Sequence, residues 1–245
     1  MTPKWIGIPV YGCKDLTLQT IGDCLSQDIP VNILIVDNAS PDGTREALEE
    51  LALREPRLHL VKNPKNLGVA AAWNQLAGIV FDCFGAEEIL ICNNDIRLRP
   101  DTLRNLLIPK GGFVTPVNVG TMEAMLSHDA ITYPVPPEPI IRSGPDFSCF
   151  LLKRSFYQEV GPFCEQYWPA YYEDRDYHML AIGKGLEREI YSVAFPYVHL
   201  ASQTIKNNPE AKALNDVYFG INKALFIKRW GGEPHHETRQ TPDLS

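Results

Sequence analysis

Apolar residues in the first half of the chain fall in short unbroken runs, separated by polar turns and by stretches with helical spacing. The runs cover residues 5–10, 31–36, 58–61 and 88–92. A strand that is apolar at consecutive positions is buried on both faces. Between the runs, residues 16–25 carry apolar side chains at 16, 18, 21 and 25. Residues 44–53 place Ala47, Leu48, Leu51 and Ala52 on one helical face, and residues 67–84 form an alanine-rich helical pattern. Strand and helix alternate, so the pattern predicts an α/β protein: a Rossmann-like, mostly parallel central sheet flanked by helices.

Beyond about residue 110 the alternation breaks. Pro134, Pro136, Pro137 and Pro139 crowd residues 133–145. Proline cannot donate to a ladder, so irregular structure or short edge strands are expected there. A strand follows over 147–152, then a helix over 172–184 ending near Gly183 and Gly185. A strand over 190–199 and a helix over 211–230, stopped by Gly231-Gly232, complete the pattern. Residues 234–245 read as a loose polar tail. With no internal repeat and no linker, one domain over 1–232 is expected, with halves of about 1–110 and 111–232 and a polar tail over 233–245.

The chain has 245 residues, of which 44% are hydrophobic, enough for a substantial core. Its net charge of −7 argues against a broad nucleic-acid-binding face. No apolar stretch reaches the roughly 18 residues that cross a bilayer. Met1-Thr2-Pro3-Lys4-Trp5 lacks the features of a signal peptide. A cytoplasmic protein is expected, with peripheral placement at the inner membrane face as a variant. Six cysteines without CxxC spacing read as free thiols rather than zinc ligands.

In an open parallel sheet, ligands bind beyond the carboxyl ends of the strands. Three polar clusters fall at such ends: Pro9-Val10-Tyr11-Gly12, Asp37-Asn38-Ala39-Ser40 and Asn93-Asn94-Asp95. Each alone is an ordinary turn or cap, but parallel strands would bring them to one rim. Asp95 is a hard oxygen ligand suited to Mg²⁺ or Mn²⁺. Asp37 could accept from a base or ribose. GxGxxG is absent, which disfavours nicotinamide binding. Trp73, Tyr11, Trp168 and Tyr171 are candidate stacking platforms for a sugar ring or base, although Trp73, on its alanine-rich helix, reads better as core.

These segments resemble glycosyltransferase family 2, the inverting nucleotide-sugar transferases of GT-A fold, in a rhamnosyltransferase-like form. "IPVYG" resembles the opening strand, with Pro9, Val10 and Tyr11 at the donor. "ILIVDNASPDGT" resembles the nucleotide loop, with Asp37 on the base and Asn38 beside it. "NPKNLGVAAAWNQ" resembles the segment along the nucleotide, through Asn66, Gly68 and Asn74. "ICNNDIRLRPDTL" resembles the DXD element, reduced here to Asn93, Asn94 and the single carboxylate Asp95. "FSCFLLKRSFYQEVGPFCEQYWPAYYEDRDYHMLAIGKG" resembles the acceptor-side strand and the "ED" helix start.

The resemblance implies a nucleotide-sugar-binding first half, a smaller acceptor-side second half, and transfer of a hexosyl or deoxyhexosyl group from a UDP-, GDP- or dTDP-sugar to a hydroxyl. Asp174 and Glu173 alone read as well as a helix N-terminus. The resemblance makes Asp174 the general base and Glu173 its companion, with Asp176 a solvated or structural charge. It also places His199 beside Asp95 at the metal. Trp168 and Tyr171 are expected at the acceptor, Lys206 near a phosphate, and Ser202 or Thr204 beside it. His128 and His178 read as surface or packing residues, and His235 and His236 as idle. The implied acceptor is a glycan or lipid-linked saccharide, or a hydroxylated base in phage DNA. The rival readings are a nucleotidyltransferase, whose Gly-rich basic loop "VYGCKDLTLQ" does not supply, and a non-catalytic sugar-nucleotide-binding protein.

Overall fold

The computed structural model describes residues 2–127, 138–139, 145–200, 203, 206 and 209–244. His128, Ser202, Thr204, Pro134, Pro136 and Pro137 lie outside them.

The first half builds β1 (Lys4–Val10), α1 (Lys14–Leu25), β2 (Val31–Asp37), α2 (Thr44–Arg54), β3 (Leu58–Lys62), α3 (Val69–Gly78) and β4 (Glu88–Cys92). β5 (Ile96–Arg97), α4 (Thr102–Leu106), β6 (Phe113–Asn118), α5 (Met122–Ser127) and β7 (Glu138–Pro139) follow. Then come β8 (Cys149–Lys153), α6 (Arg154–Val160), α7 (Glu173–Gly183), β9 (Ile190–His199) and α8 (Pro209–Trp230). One sheet runs β3-β2-β1-β4-β8-β6-β9-β5, with β7 on β9. β3, β2, β1 and β4 are mutually parallel, β8 is antiparallel to both neighbours, and β6 and β9 are parallel.

Alternate residues of each strand enter opposite cores. Trp5, Leu34, Val36, Ile89 and Ile91 pack with α3 through Ala72, Trp73 and Leu76. Ile6, Ile8, Ile33, Ile35 and Leu90 pack on the other face with Ile21 of α1 and Leu48 of α2. This two-sided burial is why the strands are apolar throughout. Gly7 lets α3 approach β1: a Cβ there would meet Ile89 Cδ1 at 2.9 Å and Leu76 Cδ2 at 3.1 Å.

Some expectations shift. The helix read over 67–84 starts at Val69 and passes into a π turn over Ile79–Cys83. β6 escaped the pattern because it is short and holds Pro116, and α6 because it is only seven residues long. The proline-rich stretch contributes the short edge strand β7. The tail expected to be loose is packed. Thr238 N and Arg239 N both donate to Trp230 O, and Glu237 Oε1 accepts from Arg175 Nε at 2.6 Å. The last turn of a helix has unpaired carbonyls, and here the tail satisfies those of Lys228, Arg229 and Trp230. Cys24, Cys92 and Cys149 are buried, Cys83 is exposed, and all six cysteines are free. No helix among the described residues is long and apolar enough to cross a membrane.

Candidate active site

Register brings the pieces together. Val10 pairs with Asp37 and Gly7 with Ile91, so β1, β2 and β4 end at one rim. β8 runs antiparallel to β4, with Cys92 opposite Cys149. The residues entering β8 therefore emerge beside those leaving β4, and Asn93 N donates to Ser148 O at 2.8 Å. β5 pairs antiparallel with β9, Ile96 opposite His199, which draws His199 against Asp95. A cavity of about 340 Å³ occupies this rim. Pro9, Val10, Tyr11, Asn38, Asn66, Asn93, Asn94, Asp95, Tyr171, Glu173, Asp174 and His199 all line it, with Ala211, Leu214 and Asn215 of α8.

His199 Nε2 lies 3.2 Å from Asp95 Oδ1. Burial pulls the imidazole pKa down, but the hydrogen bond and charge of Asp95 outweigh it and raise the value. Asp95 Oδ2 also accepts from Gln203 N at 3.4 Å. Among the described residues no cluster of three His, Cys, Asp or Glu side chains forms a ready cation site. The pair thus offers one carboxylate and one imidazole, leaving further positions of any cation to ligand oxygens and water.

The amides have separate duties. Asn94 Nδ2 donates to Gly12 O at 3.0 Å and Thr17 Oγ1 at 2.8 Å, clipping the loop after β1 to the end of β4. Asn38 Nδ2 donates to Gly68 O, while its Oδ1 accepts from Asn63 Nδ2 and Leu67 N. Asn66 Oδ1 accepts from Gly68 N. These bonds set the loop that leads into α3. Gly68 adopts φ +92°, and a Cβ there would lie 3.0 Å from Trp168 Cδ1.

At the first turn of α7, Glu173 is buried and its Oε2 has no hydrogen-bond partner. Burial, then the neighbouring Asp174, push its pKa well above the usual carboxylate range. Asp174 is open to solvent although protein crowds it on most sides, as on the wall of a cleft. Crowding raises its pKa, and the backbone amide of Arg175, 2.7 Å from Oδ1, partly offsets the rise. A carboxylate with elevated proton affinity suits general-base work.

Four expected residues stand apart from the cavity. Asp37 is fully buried, and its carboxylate accepts from Arg45 Nε and Ser40 N. Arg45, the second residue of α2, fills the place expected for a nucleobase. Asn74 faces the loop after α6: Nδ2 donates to Phe163 O and Glu165 Oε1, and Oδ1 accepts from Phe163 N. Trp168 lies behind the wall, donating from Nε1 to Asn66 O at 3.1 Å, and Gly68 shapes the loop without lining the cavity. Asp176 is not solvated but buried in an ion pair with Arg229.

The structure adds two residues that the pattern did not single out, Asp146 and Ser148, both of which line the cavity. Asp146 Oδ1 accepts from Ser148 N and Oγ, and Oδ2 accepts from Tyr197 OH. The signal was an acid at the head of a strand, unusable until that strand is known to be antiparallel. Trp73 is core on one side, 5.9 Å from Phe147 ring to ring, yet it also lines the cavity, and its Nε1 has no partner.

Residues 5–109 match the family model described as "Glycosyl transferase family 2". The N-acetylglucosaminyl-diphospho-decaprenol L-rhamnosyltransferase of Mycobacterium tuberculosis is 27% identical over 194 residues, covering 62% of this chain and 61% of that protein. This chain thus spans less than two thirds of that relative's length. The polyprenol monophosphomannose synthase of Mycolicibacterium smegmatis is 32% identical over 102 residues, covering 41% of this chain and 38% of the synthase. Among solved structures, the mannosyltransferase PcManGT of Pyrobaculum calidifontis, in complex with GDP-Man and Mn²⁺, superposes with a TM-score of 0.64 at 17% identity. That match covers 96% of this chain and 69% of the other. S. aureus TarS 1-349 in complex with UDP-GlcNAc gives 0.58 at 14% identity, covering 93% and 72%. Over residues 5–109 the chain thus resembles glycosyl transferase family 2, and as a whole it carries the GT-A fold.

Proposed function

We propose that the chain is an inverting glycosyltransferase that moves a sugar from a nucleoside-diphosphate sugar to an acceptor hydroxyl. The observation that carries the reading is the meeting of Asp95 and Asp174 in one cavity, from segments far apart in sequence. In this reading the nucleotide enters along Tyr11, Asn38 and Asn66, with its diphosphate toward Asp95 and His199. The sugar lies between these residues and α7.

Asp174 takes the acceptor hydroxyl's proton as the oxygen bonds to the anomeric carbon. The bond from that carbon to the diphosphate oxygen breaks on the opposite face, which inverts the configuration. The raised proton affinity of Asp174 supports this assignment. Glu173, buried and with its Oε2 unpartnered, would take a hydroxyl of a bound sugar. Asp37, held by Arg45, would act on the nucleotide loop rather than on the base itself.

Asp95 and His199 are donors suited to Mn²⁺ or Mg²⁺, and the orientation of one toward the other fits a shared cation. Such an ion supplies charge neutralisation to the leaving diphosphate. The relatives' names point to polyprenyl-linked acceptors, one of them a lipid-linked saccharide, and to a place beside a membrane. Two of the similar solved structures hold GDP-Man or UDP-GlcNAc, so the base stays open among guanine, uracil and thymine.

The test is incubation with UDP-, GDP- and dTDP-sugars plus Mn²⁺ or Mg²⁺, reading diphosphate release and the anomeric proton of the product by NMR. Inverted product from one donor supports the reading. Retained configuration overturns the mechanism. Tight nucleotide binding with no release under any acceptor favours a non-catalytic binding protein.

A further inference from the structure

The C-terminal helix α8 already buries one face, through Ala211, Asn222, Phe226, Arg229 and Trp230. Its opposite face is apolar too. Ala213, Val217, Gly220 and Ala224 succeed one another every three or four residues, and Ile221 lies one turn beyond Val217. Residues so spaced share one side of a helix. All five are exposed, Val217 by 61% and Ile221 by 54%. A Cβ built on Gly220 would meet nothing within 4 Å among the described residues. A helix that is apolar all round is normally enclosed, and a contiguous exposed apolar patch marks an interaction surface.

The charges beside the stripe select the occupant. The midpoint of Glu210 and Lys228 is position 219, as is that of Val217 and Ile221, and that of Asp216 and Lys223 is 219.5. Each acid thus mirrors a base about one point, and the two branched apolar residues mirror each other. Glu210, Asp216 and Lys228 are exposed, and Lys223 keeps 40% of its side chain in solvent. Within the chain Asp216 pairs with Lys212 at 2.5 Å and Lys223 with Glu233 at 2.8 Å. Such exposed pairs are worth little and exchange partners readily. A second α8 laid antiparallel across a two-fold axis at position 219 brings Val217 onto Ile221 of the second copy. The same axis sets Glu210 beside the other copy's Lys228, and Asp216 beside its Lys223. A surface that complements itself in this way is what an isologous contact requires. An anionic lipid surface would be opposed by Glu210 and Asp216.

We infer that α8 pairs antiparallel with α8 of a second copy of the chain, with Val217, Gly220 and Ile221 at the seam and Glu210–Lys228 ion pairs at both ends. Gly220, beside the axis, lets the two backbones approach. At 1.5 Å per residue α8 is about 33 Å long. One pair of helices of that length makes an interface near the low end of stable ones, so a dissociation constant of about 1–100 µM is expected. The inference does not depend on what the cavity at the strand rim holds, although α8 lends that cavity Leu214 and Asn215.

The test is sedimentation velocity of the full chain from about 1 to 500 µM, a range that spans the expected constant. A monomer–dimer equilibrium is expected. Val217→Lys should weaken it at least about tenfold by placing a charge in the apolar seam. Glu210→Lys and Lys228→Glu should each weaken it about fivefold, and the two reversals together should restore it to within about twofold. A merely structural role for either residue would not give that rescue. Gly220→Cys, in a Cys83→Ser background that removes the exposed thiol, should join two copies under copper-phenanthroline oxidation.

A chain that stays monomeric throughout overturns the inference. So does a dimer indifferent to Val217→Lys and to the charge reversals, since another surface would then carry it. Co-sedimentation of a monomeric chain with phosphatidylglycerol vesicles, lost in Val217→Lys, overturns it in favour of a lipid surface. If Val217→Lys loses its helical circular dichroism, the charge reversals and the Gly220→Cys crosslink decide, and failure of both overturns the pairing.

Discussion

Asp176 holds the C-terminal helix against the helix that carries the proposed base. Its Oδ1 accepts from Tyr167 OH at 3.0 Å, Arg229 Nε at 2.8 Å and Trp230 Nε1 at 2.8 Å, and its Oδ2 from Arg229 Nη2 at 3.3 Å. Asp176, Tyr167 and Trp230 are all 0% exposed and Arg229 is 8% exposed. Asp176→Ala would leave a buried guanidinium without its counter-charge. Breaking such a pair costs about 3–5 kcal/mol, a large part of the roughly 5–15 kcal/mol of a typical domain. With a urea m-value of about 3 kcal/mol/M, the midpoint should fall by about 1–1.7 M.

The partner experiment is Asp176→Leu with Arg229→Met. Removing both charges avoids the orphaned ion, although Tyr167 OH and Trp230 Nε1 lose an acceptor at about 1–3 kcal/mol each. The double variant should therefore lose less than the sum of the single losses. Urea unfolding followed by tryptophan fluorescence measures both. A loss below about 1 kcal/mol for Asp176→Ala, or strict additivity in the double variant, would refute the reasoning. Function is tied to the same anchor. α8 also braces the cavity wall through Asn222 Nδ2, which donates to Ala170 O at 2.8 Å.

Asp174→Asn should cut turnover by about 10²–10⁴-fold while nucleoside-diphosphate affinity stays within twofold, checked by kinetics and calorimetry. Asp95→Ala, or EDTA with the native chain, should weaken donor binding at least tenfold; unchanged binding after chelation removes the metal from the scheme. Burial, then Arg175, lower the His178 pKa from 6.5 to about 4. The unfolded chain takes up this proton below pH 6.5, the folded one only near 4. This stabilising contribution is full above 6.5 and lost as pH falls through 4, about 3 kcal/mol in all. Urea titrations from pH 7 to 4 should show that loss in the native chain relative to His178→Phe. Gly68→Ala should destabilise by at least about 1 kcal/mol, since its φ of +92° and the Trp168 contact both oppose a side chain.

Much of the fold was legible because its signals are local. Unbroken apolar runs such as "ILIVD" and "EILIC" report burial on two faces, and β2 and β4 lie where those runs do. The polar clusters at strand ends likewise reported a rim, since parallel strands deliver their ends to one side. Distant pairing was not legible. Nothing near "ICNND" states that β5 would pair with β9 and bring His199 to Asp95, or that an antiparallel β8 would put Ser148 beside Asn93.

The fate of single side chains was equally hidden. Asp37 and Asn74 have residue types suited to a ligand, yet Arg45 and the Phe163–Glu165 loop reached them first. His178 read as a surface or packing residue, and only the tertiary structure decided that it is buried, with its Nε2 unpaired. By itself the sequence determined the alternation of strands and helices and the rim on which polar residues gather, because periodicity and turn chemistry act over a few residues. Tertiary structure alone decided which of those residues face the cavity, because hydrogen bonds and burial are settled by partners 30 to 100 positions away.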